Sequence, residues 1–155
     1  VFWIIIAAAI VLDIISKQIV IGSMTENQVI SVIPGLFDLR YINNHGAAFS
    51  ILQGKTLLLI IATCAMMAGL VVYYVLKRKS IIRAEQIALA MIVGGGVGNL
   101  IDRIFQGYVT DFLDIHIIPI FNVADCFITV GCALLVISVL FIEPRTNKAN
   151  SAEDR

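Results

Sequence analysis

Four long apolar runs decide which folds are open to this chain. They cover residues 1–21, 56–76, 84–105 and 119–142. About 20 apolar residues, rising 1.5 Å each, carry a helix across the hydrocarbon core of a bilayer. Composition supports the same class. Of 155 residues 59% are hydrophobic and 14% are charged, where a soluble domain averages about a quarter charged. The expected fold is an all-α membrane protein with a small β element: one integral membrane domain, 1–155, of four transmembrane helices. One ordered segment outside the membrane, residues 22–55, belongs to it. A formal net charge of zero gives no bulk attraction to nucleic acid, which is not an expected partner.

The connections orient the runs. Residues 77–83 hold Lys77, Arg78, Lys79 and Arg83 and no acid, so this loop is expected on the cytoplasmic side. The 22–55 segment and the loop containing Asp111 then lie outside, and both termini lie inside with the polar 143–155 tail, which is expected to be disordered. The first run has the look of a signal peptide, but its length and its interior Asp13 and Lys17 argue for a retained span. The chain begins at Val1, and a short initiating segment is expected before it. Tyr73 and Tyr74 suit the membrane interface. Within 22–55, Pro34-Gly35 marks a turn. Residues 36–42 read as a strand, and 47–53 as a short helix lying in the interface, with Phe49, Ile51 and Leu52 as its apolar members.

Carboxylates close to a bilayer are costly and so are functional suspects. Asp111 and Asp125 each sit at the edge of an apolar segment. Two acids that meet across a loop repel one another, so one holds a proton while the other stays ionised, which suits acid–base work on a shared water. Asp114 is an alternative member of the pair. Equally, Asp111 can cap a turn and Asp125 can cap the last helix. Asp13 and Lys17, four apart, share a helix face and can pair. Asn99 and Arg103 share a face, as do Asn122 and Asp125. Arg103 needs an anion at this depth, and Asp102, Asp111 and Asp125 are candidates; otherwise it snorkels to the headgroups. Asn44 can hold an extended backbone or simply form a turn. Gly94-Gly95-Gly96-Val97-Gly98 lacks the ending of a phosphate loop and reads as a place for close approach by a helix or a substrate backbone. Cys64, Cys126 and Cys132 read as small buried hydrophobes. His45 and His116 have no zinc-ligand spacing, so no metal or other cofactor is expected.

Five short stretches, taken in order, resemble the lipoprotein signal peptidases (signal peptidase II) of bacteria. They are Asp13-Ile14-Ile15-Ser16-Lys17, Asn44-His45-Gly46-Ala47-Ala48-Phe49, residues 95–103 ending Gly98-Asn99-Leu100-Ile101-Asp102-Arg103, Val109-Thr110-Asp111-Phe112, and Phe121-Asn122-Val123-Ala124-Asp125. The resemblance covers nearly the whole chain. It implies four transmembrane helices with an extracytoplasmic β-cradle and a small interfacial helix. It further implies an aspartyl endopeptidase of the inner (plasma) membrane, acting as a monomer. Its substrates would be prolipoproteins, cut immediately before a cysteine carrying diacylglyceryl, so membrane lipid is a partner as well. Asp111 and Asp125 match the catalytic acids. Asn44, Asn99, Arg103 and Asn122 match polar positions lining the site, and Asp13 with Lys17 match a supporting pair. Two rivals from other classes are a small proton carrier, using the intramembrane acids as a relay, and a scaffold that packs through the glycine run.

Overall fold

The computed structural model describes residues 1–46 and 55–142. Among these described residues, four helices are long and apolar enough to cross a membrane. They are α1 (Phe2–Ser23), α2 (Thr56–Lys77), α3 (Arg83–Phe105) and α4 (Val123–Ile137), the last continuing as a π-helical turn over Ser138–Ile142. Strands β1 (Val29–Ile33), β2 (Phe37–Asn44) and β3 (Val109–Asp114) form one antiparallel sheet in the order β1-β2-β3. The four-helix architecture with a small β element is therefore as expected. The interfacial helix expected over 47–53 and the tail over 143–155 lie outside the described residues.

α1 shows how such a helix is built. Its buried positions are Phe2, Ile6, Ala9, Asp13, Lys17 and Val20, a stripe at three- and four-residue spacing. Trp3, Ile4, Val11, Leu12, Ile15 and Ile19 are exposed on the opposite side. An apolar outer face around a stripe that holds charge is the inverse of a soluble helix and suits lipid. The helix ends where Met24 turns extended, and Asn27 takes a left-handed conformation (φ 66°) that suits its side chain.

α3 is the centre of the bundle, and its glycines make that possible. A Cβ on Gly95 would strike the Ala124 carbonyl oxygen of α4, and one on Gly98 would lie 2.6 Å from Asp13 Oδ2 of α1. Gly94 meets Ala9 and Gly96 meets Met67 in the same way. The run is thus filled by neighbouring helices, the first of the two expected uses, and these positions leave no room for a substrate backbone. α2 is peripheral: Met67 is its one buried residue, and Tyr74, expected at the interface, stacks on Phe2 with ring centroids 3.6 Å apart. Cys64 and Cys132 are exposed rather than buried, because small apolar residues of a spanning helix are as well placed against lipid as in a core.

The strands and the start of the fourth helix differ from the sequence expectation. β1 and β3 join the single expected strand. The fourth helix starts at Val123 rather than at Pro119, because Asn122 caps it. Ahead of the cap, Phe121 bridges to Leu113 and so ties the approach of α4 to β3.

Candidate active site

Asp111 lies within β3, where it is 2% exposed, so it does not cap a turn. What it faces depends on one irregularity in the sheet. Leu39 pairs with Leu113, but Ile42 rather than Tyr41 pairs with Asp111. β2 therefore carries one extra residue between these points, a bulge that reverses which side its later residues face. Asn44, two residues beyond Ile42, thus comes onto the Asp111 face, and its Nδ2 donates to Asp111 Oδ2 at 2.8 Å. Without the bulge Asn43 would stand there instead.

Asp125 occupies the third position of α4, in a reciprocal cap with Asn122. The Asp125 amide donates to Asn122 Oδ1 at 3.0 Å, and the Asn122 amide donates to Asp125 Oδ2 at 3.3 Å. Capping uses one Asp125 oxygen, and the other is held toward Asn99 (2.8 Å from its Nδ2).

Asn122 joins the two acids. Its Nδ2 donates to Asp111 Oδ1 at 2.7 Å and to Asn99 Oδ1 at 3.0 Å. The direction of every bond follows from groups that can only donate. The Asp125 backbone N–H fixes the Asn122 carboxamide, and Lys17 Nζ, 3.2 Å from Asn99 Oδ1, fixes that of Asn99. Both asparagines must then present N–H groups to the aspartates. Lys17 also pairs with Asp13 at 2.7 Å, as expected, and with Asp102 at 2.8 Å.

A cavity of about 230 Å³ opens on this network, lined by Asn44, Asn99, Arg103, Asp111 and Asp125 together with the apolar 118–121 segment. A neighbouring pocket of about 480 Å³ shares Asn44 and residues 118–120 with it. Burial drives the Asp111 carboxyl up from its ordinary 3.8 to about 7. The nearby Asp125 charge adds to that rise, while the Asn44 and Asn122 hydrogen bonds and the Lys17 charge oppose it. A carboxyl that keeps its proton near neutrality, beside a second carboxylate on the same cavity, can serve as acid and base toward one water.

Arg103 has no carboxylate oxygen within ion-pair distance among the described residues. It donates to the Gly46 and Asn99 carbonyls at 3.3 and 3.5 Å, while remaining within electrostatic reach of Asp125, Asp111 and Asp102. Asp102 is unavailable to it because Lys17 holds that carboxylate. Asp114 sits at the far end of β3, where it accepts from the His116 amide at 2.9 Å and faces Arg40 at 3.9 Å, away from Asp125. Among the described residues no three of His, Cys, Asp and Glu are grouped to hold a metal. Asp102, a candidate partner of Arg103 by sequence, pairs with Lys17 instead, a contact that sequence reasoning missed. The available signal was that it stands three residues from Asn99 on the same helix face and that the first span carries an interior lysine in need of acceptors.

The signal peptidase II family model matches residues 5–141. The lipoprotein signal peptidase of Halothermothrix orenii is 40% identical over 135 residues, covering 87% of this chain and 92% of that protein. The lipoprotein signal peptidase of Clostridium novyi is 41% identical over 141 residues, covering 88% and 95%. A solved bacterial membrane enzyme, determined by the in meso method at 2.3 Å resolution, superposes with a TM-score of 0.83 at 33% identity, covering 90% of this chain and 87% of that one.

Proposed function

The chain belongs to the signal peptidase II family, and we propose that it is an aspartyl endopeptidase that removes signal peptides from diacylglyceryl-modified prolipoproteins. One observation carries the reading. Asp111 and Asp125 come from a strand and a helix that are remote in fold, yet a single asparagine bonds to both at the wall of one cavity. Asp111, proton-holding near pH 7, is the general acid, and Asp125 is the general base. Asp125 takes a proton from water as its oxygen attacks the scissile carbonyl, and Asp111 gives its proton to the carbonyl oxygen. Asp111 then recovers that proton, Asp125 passes its own to the departing amine, and the C–N bond breaks. No covalent intermediate is required.

The carboxamides of Asn44, Asn99 and Asn122 are committed to the two acids, so in this reading they aim the catalytic groups instead of holding the substrate backbone. Arg103, on the cavity wall, steadies a substrate carbonyl. The chain is a multi-pass membrane protein. α3 runs from the basic 77–83 loop to the site, so the two lie at opposite ends of the bundle. With that loop cytoplasmic, the active site is extracytoplasmic and both termini are cytoplasmic. A diacylglyceryl cysteine remains in the bilayer, which accounts for a site at the membrane boundary. One chain supplies both acids, consistent with a monomer formed as a single membrane peptidase domain.

The test is purified enzyme with a prolipoprotein, with and without its diacylglyceryl group, analysed by mass spectrometry. A cut immediately before the cysteine in the lipidated substrate is the expected result. Intact substrate alongside proton flux in liposomes would replace this reading with the carrier.

A further inference from the structure

Behind the dyad lie three buried charged side chains that do not line the cavity. Asp13, Lys17 and Asp102 are 0%, 1% and 5% exposed. Lys17 has three protons and three acceptors: Asp13 Oδ2, Asp102 Oδ2 and Asn99 Oδ1. The other bonds of the two carboxylates are more informative. Asp13 Oδ1 accepts the backbone N–H of Ala124 at 2.9 Å, and Asp102 Oδ2 accepts the backbone N–H of Thr110 at 3.2 Å. Ala124 immediately precedes Asp125, and Thr110 immediately precedes Asp111. One ammonium therefore joins two carboxylates, each gripping the chain one residue ahead of one of the two acids.

Resting on the peptidase reading above, we propose that Asp13, Lys17 and Asp102 form a charged tie that sets the spacing and rotation of the two catalytic aspartates. Lys17 and Asp102 are positioning residues for the reaction. Through Asn99, Lys17 also determines that an N–H and not an oxygen faces Asp125. Stability alone is a poor account of such a cluster, because a buried ion group replaced by packed apolar side chains is often no less stable. Apart from the Gln106 Nε2 bond to Asp102 Oδ1 at 3.2 Å, its outward carboxylate bonds go to the two peptide groups that precede the acids of the dyad. The Ala124 N–H belongs to the first turn of α4, where no intrahelical acceptor exists, and α1 supplies one. The Thr110 N–H is supplied in the same way by α3. Three helices and one strand are thereby locked to a common point.

The experiment compares wild type, Lys17→Met and Asp102→Asn in detergent, measuring unfolding temperature, kcat, KM and the pH dependence of cleavage of a diacylglyceryl-modified prolipoprotein. Displacing a reacting group by about 1 Å costs on the order of 10²-fold in rate. Folded variants with kcat reduced about 100-fold and KM within about threefold are the expected result. Lys17→Met removes a charge that holds the Asp111 pKa down, so its alkaline limb moves to higher pH. In Asp102→Asn the lysine charge remains, so a fall in kcat there isolates geometry from that electrostatic effect. Folded variants with wild-type kcat, or with the loss confined to KM, would overturn the proposal. So would failure of both variants to fold, which would make the cluster a requirement of folding and not of catalytic geometry. A wild type that does not cut would overturn the peptidase reading and this proposal with it.

Discussion

Removing the Asn44 side chain tests the electrostatics of the dyad with the least disturbance. Asn44 Nδ2 donates to Asp111 Oδ2, a bond that stabilises the ionised acid and opposes its raised pKa. A hydrogen bond to a charged acceptor is worth about 1.5–3 kcal/mol, and one to a neutral acceptor about 0.5–1.5 kcal/mol. The difference of about 1 kcal/mol or slightly more corresponds to about one pKa unit. If protonated Asp111 is the acid, wild-type kcat/KM falls as pH rises through about 7. In Asn44→Ala the acid keeps its proton to higher pH, and the limb moves to about 8. At pH 8 the wild type should retain roughly a tenth of its plateau and the variant about half of its own, lower, plateau. The assay is initial cleavage rate of a lipidated prolipoprotein from pH 5 to 9 at subsaturating substrate. A limb that stays in place or moves down would refute the bond's proposed effect. A wild-type rate that rises through pH 7 would reverse the assignment of acid and base.

Gly98→Ala places a methyl 2.6 Å from Asp13 Oδ2; a melting curve in detergent should show a loss of about 1–3 kcal/mol, whereas Gly69→Ala, with nothing within 4 Å of the added carbon, should leave the melting temperature unchanged or slightly higher. Asn122→Ala removes the α4 cap and the link between the acids. The cap alone should cost about 1 kcal/mol in denaturation, while cleavage should fall far more than the lost stability explains. Wild-type turnover by that variant would remove Asn122 from the groups that position the dyad.

The spanning helices were legible because each carries an apolar run long enough to stand out against any soluble background. Their ends were less so: Pro119 reads as helix start, but the cap formed by Asn122 and Asp125 sets the boundary at Val123. β2 was legible from its β-formers after Pro34-Gly35. β3 was not, because Asp111 and Asp114 lower the strand propensity of a six-residue segment. The bulge between Leu39 and Ile42 left no sequence mark, although it decides that Asn44 and not Asn43 meets Asp111. Among the site residues, the pairing of Asp13 with Lys17 followed from four-residue spacing. The choice between Asp111 and Asp114 did not follow from spacing; the resemblance favoured Asp111, and two residues of β3, Phe112 and Leu113, stand between them. Arg103 was expected either to pair with one of three carboxylates or to snorkel; it donates to two carbonyls, and Lys17 holds one of the three candidates, Asp102.

The central claim is that Asp111 and Asp125 share the work on one water. It is tested most directly by gel-shift cleavage of a purified diacylglyceryl-modified prolipoprotein, chelator present, by wild type, Asp111→Asn, Asp125→Asn and Asp114→Asn. Asparagine keeps the shape of the acid but cannot exchange its proton. Each of the first two changes should reduce the rate by at least about 10²-fold, with Asp114→Asn close to wild type. Cleavage that survives Asp111→Asn or Asp125→Asn, or that is lost in Asp114→Asn alone, would contradict the account.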